Sequence, residues 1–104
     1  MVTIEEALRH LGYDQTDPAV VLNVTAALRD AESYLQGAVG DDVLELLPDD
    51  PKADRLVKTY LEDLYDERGM TSAKAGNAKR EMVNSLELQL RMKLARKREE
   101  AAAE

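Results

Sequence analysis

The strongest constraint on the fold is a pair of Asp-Pro dipeptides, each followed by an amphipathic pattern. Asp17-Pro18 and Asp50-Pro51 each place an N-cap carboxylate before a proline that suits the first helical turn. Apolar residues then recur at three-and-four spacing, until Gly37 in the first case and Gly69 in the second. They are Val21, Val24, Leu28, Ala31 and Leu35, and then Leu56, Val57, Tyr60, Leu61, Leu64 and Tyr65. The sequence predicts one helix from Pro18 towards Gly37 and another over residues 51–68.

A shorter helix precedes these two. Thr3 and Glu6 form a capping box, and Gly12 supplies a left-handed stop. Between them, one apolar face is formed by Ile4, Ala7, Leu8 and Leu11. The sequence predicts a helix over residues 3–11.

Residues 37–50, GAVGDDVLELLPDD, combine two glycines, a proline and several acids with an apolar group that we call the loop patch. The loop patch consists of Val43, Leu44, Leu46 and Leu47. This composition predicts a loop with one short turn of helix or strand at most. A patch this apolar is expected to meet a neighbouring chain, the alternative being that it folds onto the chain's own core.

The last third of the chain has two interpretations. The stretch MTSAKAGNA, residues 70–78, predicts a flexible connection. Beyond it, a strand would put every second residue on one side, from Leu86 to Leu94. A helix would leave Leu88 and Met92 on a face of their own, away from Met82, Val83, Leu86, Leu90 and Leu94. Abundant helix formers and few β-branched residues favour the helix, and residues 99–104 are expected to be frayed.

These elements predict an all-α fold, a small bundle of about four helices. It has an extended loop between the second and third helices. The C-terminal segment is either a further helix or an extended, strand-like segment. A length of 104 residues allows one domain, placed at residues 1–98 with the tail at 99–104. The chain has no Cys, Phe or Trp, so no disulfide is available and the core must come mainly from aliphatic side chains. The N-terminus lacks signal-peptide features, which favours cytosolic synthesis.

Nothing in the sequence predicts a catalytic, cofactor or metal site, so we expect a protein that is not an enzyme. Phosphate-binding, nucleophile-elbow and HExxH motifs are missing. The lone His10 is interpreted as a solvent-exposed residue near a helix end. Adjacent acids are interpreted as solvated surface, namely Asp41/Asp42, Asp49/Asp50 and Glu62/Asp63.

Charge is unevenly distributed along this acidic chain, whose formal net charge is −7. A basic run lies near the C-terminus and consists of Arg91, Lys93, Arg96, Lys97 and Arg98. Such a run either complements the carbonyl end of a helix or grips phosphate or an acidic protein surface. The alternative function, a helix-turn-helix DNA-binding regulator, needs a basic recognition helix. The helix over 51–68 instead exposes Lys52, Asp54, Lys58, Glu62, Asp63 and Asp66, which is too acidic for a DNA groove.

Four passages resemble the head-tail connector, or adaptor, family of long-tailed bacteriophages and prophages. They are VTIEEALRHLGYD, DPAVVLNVTAALRDAESYLQGAVG, LVKTYLEDLYDERG and NSLELQLRMKL. In the third, Leu64 and Tyr65 are followed by acids and Arg68, as is characteristic of the family. The chain differs in its strongly basic C-terminal region and in having no Trp near Tyr65.

The resemblance implies a virion protein of the neck, made in the host cytoplasm. It implies a ring, usually a dodecamer, under the portal, with a head-closure, stopper or tail protein bound beyond it. DNA would pass through the acidic lumen without sequence-specific binding. The candidate protein-interface residues are Val43, Leu44, Leu46, Leu47, Tyr60, Tyr65, Arg68, Leu88, Arg91, Met92, Lys93, Arg96, Lys97 and Arg98.

Overall fold

A computed structural model describes residues 1–14, 16–65 and 73–103, and these residues form five α-helices and no strand. The helices are α1 (Ile4–Leu11), α2 (Pro18–Val39), α3 (Val43–Leu46), α4 (Pro51–Tyr65) and α5 (Ala73–Ala103). The predicted all-α bundle is confirmed. The expected continuation of the 51–68 helix beyond residue 65 lies outside the described residues.

The helix starts follow the predicted capping chemistry. The Thr3 hydroxyl accepts the backbone N–H of Glu6 at 3.1 Å, and the Asp17 carboxylate accepts that of Ala19 at 3.0 Å. Each side chain satisfies a donor that a helix start would otherwise leave unpaired. Gly12 ends α1 with a φ of 79°, the left-handed conformation that glycine adopts without strain. The predicted end of α1 at Leu11 is therefore confirmed, and the helix begins at Ile4, one residue after the predicted start.

The end of α2 differs from the expectation, because the helix continues through Gly37 to Val39. Gly37 is exposed, and a single glycine inside a long packed helix costs only about 1 kcal/mol. The chain leaves the helix at Gly40, where φ is 157°. A Cβ atom there would lie 2.6 Å from Leu94 Cδ2 and 2.7 Å from Arg98 Nη2. Close packing of this turn against α5 therefore requires glycine at residue 40.

Two glycine substitutions are expected to have opposite effects on stability. Gly40→Ala should lower the free energy of unfolding by about 1–3 kcal/mol, because it strains the backbone and displaces Leu94 and Arg98. Gly37→Ala should raise that free energy by about 0.5–1 kcal/mol, because its Cβ meets no atom within 4 Å and alanine favours helix. Urea unfolding followed by circular dichroism measures both. Equal effects of the two variants would contradict this account of the turn.

The core lies between α1, α2, α4 and α5. Its largest fully buried side chains are Leu8, Val24, Leu35, Val43, Leu56, Leu61, Leu90 and Leu94. These residues come from all five helices, since Val43 belongs to α3. The apolar stripes predicted for α1, α2 and α4 meet here, except that Ile4 and Leu64 are 37% and 53% exposed and the side chain of Tyr65 lies outside the described residues.

The loop patch packs onto this core, so the expectation that it meets a neighbouring chain is corrected for Val43 and Leu47 and stays a prediction for Leu44 and Leu46. Val43 is fully buried and Leu47 is 5% exposed, while Leu44 and Leu46 are half-buried against the same cluster. The reason is that residues 43–46 form a helical turn, which directs Val43 and Leu47, four residues apart, to one side. The patch supplies the bundle with core volume.

The last element is a helix, as favoured, and its faces divide as the helical alternative predicts. Leu90 and Leu94 are buried, whereas Leu88 and Met92 are 54% and 55% exposed. α5 begins at Ala73, so residues 73–78, expected to be a flexible connection, are helical, consistent with their alanines and lysine. Residues 99–103 form its last turns, and their fraying stays a prediction.

Candidate functional site

The basic run of α5 largely binds other parts of the same chain. Arg98 donates two hydrogen bonds from Nε to the carboxylate of Asp42, at 2.9 and 3.2 Å, and one from Nη2 at 2.6 Å. Asp42 directly precedes α3, so this pair ties the C-terminal part of α5 to the turn after α2. The hydrogen bonds from Arg98 lower the pKa of Asp42, and those to Asp42 raise the pKa of Arg98.

Lys93 pairs with Asp50, a buried carboxylate at the start of α4. Asp50 Oδ1 also accepts the backbone N–H of Lys52 at 2.8 Å, so one side chain caps α4 and binds α5. Burial by itself would raise the pKa of Asp50. The hydrogen bonds from Lys93 and from the backbone of Lys52 and Ala53 outweigh burial, and the pKa is lowered.

Arg91 caps the C-terminal end of α2. Its Nε donates to the carbonyl oxygen of Ala38 at 2.8 Å, and its Nη2 lies 3.5 Å from Glu87 Oε2. A cation at this position satisfies a terminal carbonyl and complements the negative end of the helix dipole. Together with Lys93 and Arg98, Arg91 anchors α5 to the chain on which it packs.

Four of the five cations expected to grip a partner have a partner within the chain, and for three of them that partner lies outside α5. Arg96 makes no ion pair within the described part of the chain, and Lys97 lies 3.6 Å from Glu100 on its own helix. Docking of this run on a partner stays a prediction, although Arg91, Lys93 and Arg98 already bind groups of their own chain. Their partners within the chain are 43 to 56 residues away in sequence. The spacing of residues within one helix does not predict contacts over such separations.

Tyr60 belongs to a buried polar contact between α4 and α5. Its hydroxyl donates to Glu87 Oε1 at 2.6 Å, and its ring centroid lies 4.7 Å from that of Tyr34 on α2. Burial and the Glu87 carboxylate both raise the pKa of the Tyr60 phenol. Tyr60 is only 6% exposed, so it is core rather than an accessible interface residue, whereas Tyr34 is 61% exposed. Sequence analysis missed both Tyr34 and Glu87.

Leu88 and Met92 form the exposed apolar pair that we call the outer pair. They are one helical turn apart, so their side chains lie next to each other along α5. Both are more than half exposed. The side chain of Tyr65 and the whole of Arg68, the remaining candidate interface residues, lie outside the described part of the chain.

A second candidate site is a cleft of about 390 Å³ between α1, α4 and the first half of α5. We call it the cationic cleft, and its lining is His10, Arg55, Lys58, Thr59, Glu62, Lys79 and Met82. No sequence motif marks it, because three helices contribute to it. Its basic side chains become neighbours only when α1 and α5 pack against α4.

One carboxylate, that of Glu62, crosses the cationic cleft and contacts two basic side chains there. His10 Nε2 lies 2.5 Å from Glu62 Oε1, and Lys79 Nζ lies 3.3 Å from Glu62 Oε2. Lys79 also donates to Asp63 at 2.8 Å. Burial would lower the pKa of Lys79, but the two carboxylates outweigh it and the pKa is raised. His10 and the pair Glu62/Asp63, expected to be solvated surface, thus tie α1 and α5 to α4.

Among the described residues, no group of three or more His, Cys, Asp or Glu side chains could hold a metal ion. Within the same ranges, no helix is both long enough and apolar enough to cross a membrane. Comparisons with protein-family models, with curated proteins and with solved structures found no match.

Proposed function

We propose that this chain is a structural subunit of a phage head-tail connector. On this proposal it assembles as a ring beneath the portal, extends the DNA channel and gives a head-closure or tail protein a surface to bind. The four family-like passages and the small all-α bundle support the proposal. The observation that carries it is the outer pair, two large apolar side chains exposed in the middle of a helix that is firmly held on its other side.

The anchoring of α5 makes the outer pair suitable for binding a protein. Three ionic or hydrogen-bonded contacts fix the helix between residues 91 and 98, and Leu90 and Leu94 are buried beneath it. A surface held in one conformation loses little entropy on binding. The exposed side chains are large and lie side by side, as in the centres of protein interfaces.

Charge supports the proposed position around DNA. The net charge is −7, and the three anchoring cations of α5 are already engaged by carboxylates or carbonyls of the same chain. A lumen lined by such subunits would repel phosphates and let the genome pass without adhering to the wall.

Removing the outer pair should weaken attachment to the portal without unfolding the subunit. We expect Leu88→Ala with Met92→Ala to bind portal-bearing capsids that lack neck proteins about 10- to 100-fold more weakly than the unmodified chain, because apolar interface centres dominate affinity. Co-sedimentation of labelled protein with those capsids measures the binding. Leu22→Ala on α2, at a residue 70% exposed, is the matched control and should bind normally.

Two results would contradict this proposal. One is wild-type attachment by the double variant together with an unchanged melting curve. The other is salt-dependent binding of the unmodified chain to DNA fragments in place of capsids, which would favour the DNA-binding alternative.

A further inference from the structure

We propose that the last turns of α5 in one subunit, residues 99–103, bind in the cationic cleft of the next subunit. This inference rests on the proposed assembly of identical subunits into a ring. It assigns a ligand to the cleft, an acidic and alanine-rich helix end from a second copy of the chain.

The cleft has cationic groups to offer such a ligand. Arg55 and Lys58 line it, and within the described ranges neither side chain forms an ion pair. They lie three residues apart on α4, so they project on the same side of the helix. The carboxylate of Glu62 does not cancel them, because His10 and Lys79 already bind it. Met82 and the alkyl chains of the basic residues add apolar surface.

The end of α5 has the complementary character. The ion pair between Arg98 and Asp42 is the last hydrogen-bonded contact towards the C-terminus that joins α5 to the rest of the described chain. Beyond it, Glu99 and Glu100 are exposed and are followed by three exposed alanines. Among the described residues, Glu100 pairs only with Lys97 of its own helix, at 3.6 Å and with 67% of its side chain exposed. Exposed pairs of this kind exchange readily for others.

The geometry makes this contact intermolecular. Lys79 lines the cleft near the start of α5, and Glu99 lies 20 residues further along the same helix, about 30 Å away at 1.5 Å per residue. A continuous helix cannot bring its own end back over that distance. Two different surfaces at opposite ends of one subunit produce head-to-tail contacts, which close into a ring when the rotation between subunits allows it.

The contact should be weak between free subunits. It depends on exposed charges, which screening by salt reduces, and the shared net charge of −7 opposes association. When a portal holds several subunits side by side, each contact becomes effectively intramolecular and the weak attractions act together. The subunit is therefore expected to be mainly monomeric in dilute solution.

Paramagnetic broadening tests the contact directly. The chain has no cysteine, so Ala102→Cys gives one attachment point for a nitroxide spin label. The spin-labelled chain is mixed, at millimolar concentration and low salt, with a nitrogen-15-enriched copy of the unmodified chain. That copy has no cysteine and carries no spin label. We expect loss of amide signal at Lys58, Thr59 and Met82, and recovery of that signal at high salt. A label at Ser33→Cys, an exposed site on α2, is the control and should leave these amides sharp.

Charge exchange identifies the partners. Arg55→Glu with Lys58→Glu in the enriched copy should abolish the broadening, and Glu99→Lys with Glu100→Lys in the labelled copy should restore it. Broadening that is absent, or that falls outside the cleft, would overturn the inference. A third result would also overturn it: inorganic phosphate changes the chemical shifts of the cleft amides, but the spin-labelled chain does not broaden them. The cleft would then be a site for small anions.

The capsid measurement separates this inference from the proposed function. If the cleft variant still fills the portal with a full complement of subunits, the tail-to-cleft contact is wrong and the connector proposal stands. If broadening and its charge exchange are observed but no variant or wild-type chain binds capsids, the contact stands and the connector proposal fails.

Discussion

Replacing Leu90 by Ala is expected to lower the free energy of unfolding by about 2–5 kcal/mol, the largest single effect that we predict. Leu90 is fully buried where α5 crosses the bundle, and the partly buried Val83 and Leu86 pack against the same core. Truncation removes apolar surface from the core and leaves a cavity that rigid neighbours fill only partly. Denaturant unfolding at neutral pH measures the loss.

Leu88→Ala is the matched control, because it makes the same chemical change two residues earlier on the same helix. Leu88 is 54% exposed, so its truncation should change the free energy of unfolding by no more than about 0.5 kcal/mol. Helix propensity is altered equally in both variants. Similar losses in the two variants would show that α5 is rotated differently on the bundle, and would remove the basis for assigning the outer pair to a partner.

The phase of α5 could be predicted because helical spacing separates its leucines into two sets. Leu86, Leu90 and Leu94 recur every four residues, and Leu88 belongs to no such series with them. Capping signals at Thr3 and Asp17 likewise act within one turn, so their effects are readable from adjacent residues. Local patterns of this kind account for the predicted parts of the fold.

Features that depend on tertiary packing were not predictable in the same way. Helix α2 extends past Gly37 because packing outweighs the weak helix propensity of one glycine, and the loop patch turns inward because the bundle offers it a place. The sequence of the basic run of α5 is compatible both with a docking surface and with a cationic helix end. Its acidic partners, Asp42 and Asp50, are far away in sequence and resemble ordinary surface acids there.

The same limit explains why the cationic cleft went unnoticed. His10, Arg55 and Lys79 come from three helices, and each looks like a solvated charge when its own helix is considered alone. The acidic composition of the whole chain also conceals a local excess of positive charge, because net charge averages over the surface. Only the packed bundle brings these groups to one place.

Asp50→Ala is expected to lower the free energy of unfolding at neutral pH by about 2–3 kcal/mol, although aspartate is usually a surface residue. The variant loses the N-cap acceptor for the Lys52 backbone N–H and leaves Lys93 without its carboxylate. Asp49→Ala is the control, since the Asp49 side chain is 92% exposed, and it should be nearly neutral. Asp50→Asn keeps an acceptor at the cap and should lie between the two.

The pH dependence distinguishes an ionic contribution of Asp50 from simple loss of packing. The pKa of Asp50 is lowered in the folded state from its ordinary value of 3.8, so the folded protein favours the charged form. The stability that this charge supplies is complete above the unfolded pKa and is lost as the pH falls through the lower folded pKa. The difference in free energy of unfolding between the unmodified chain and Asp50→Ala should therefore be constant near neutral pH and should shrink below about pH 4.

Urea unfolding at several pH values, down to the lowest at which the unmodified chain unfolds cooperatively, measures this difference. A difference that stays constant throughout the acidic range would mean that packing and neutral hydrogen bonds, not the pair with Lys93, account for the role of Asp50.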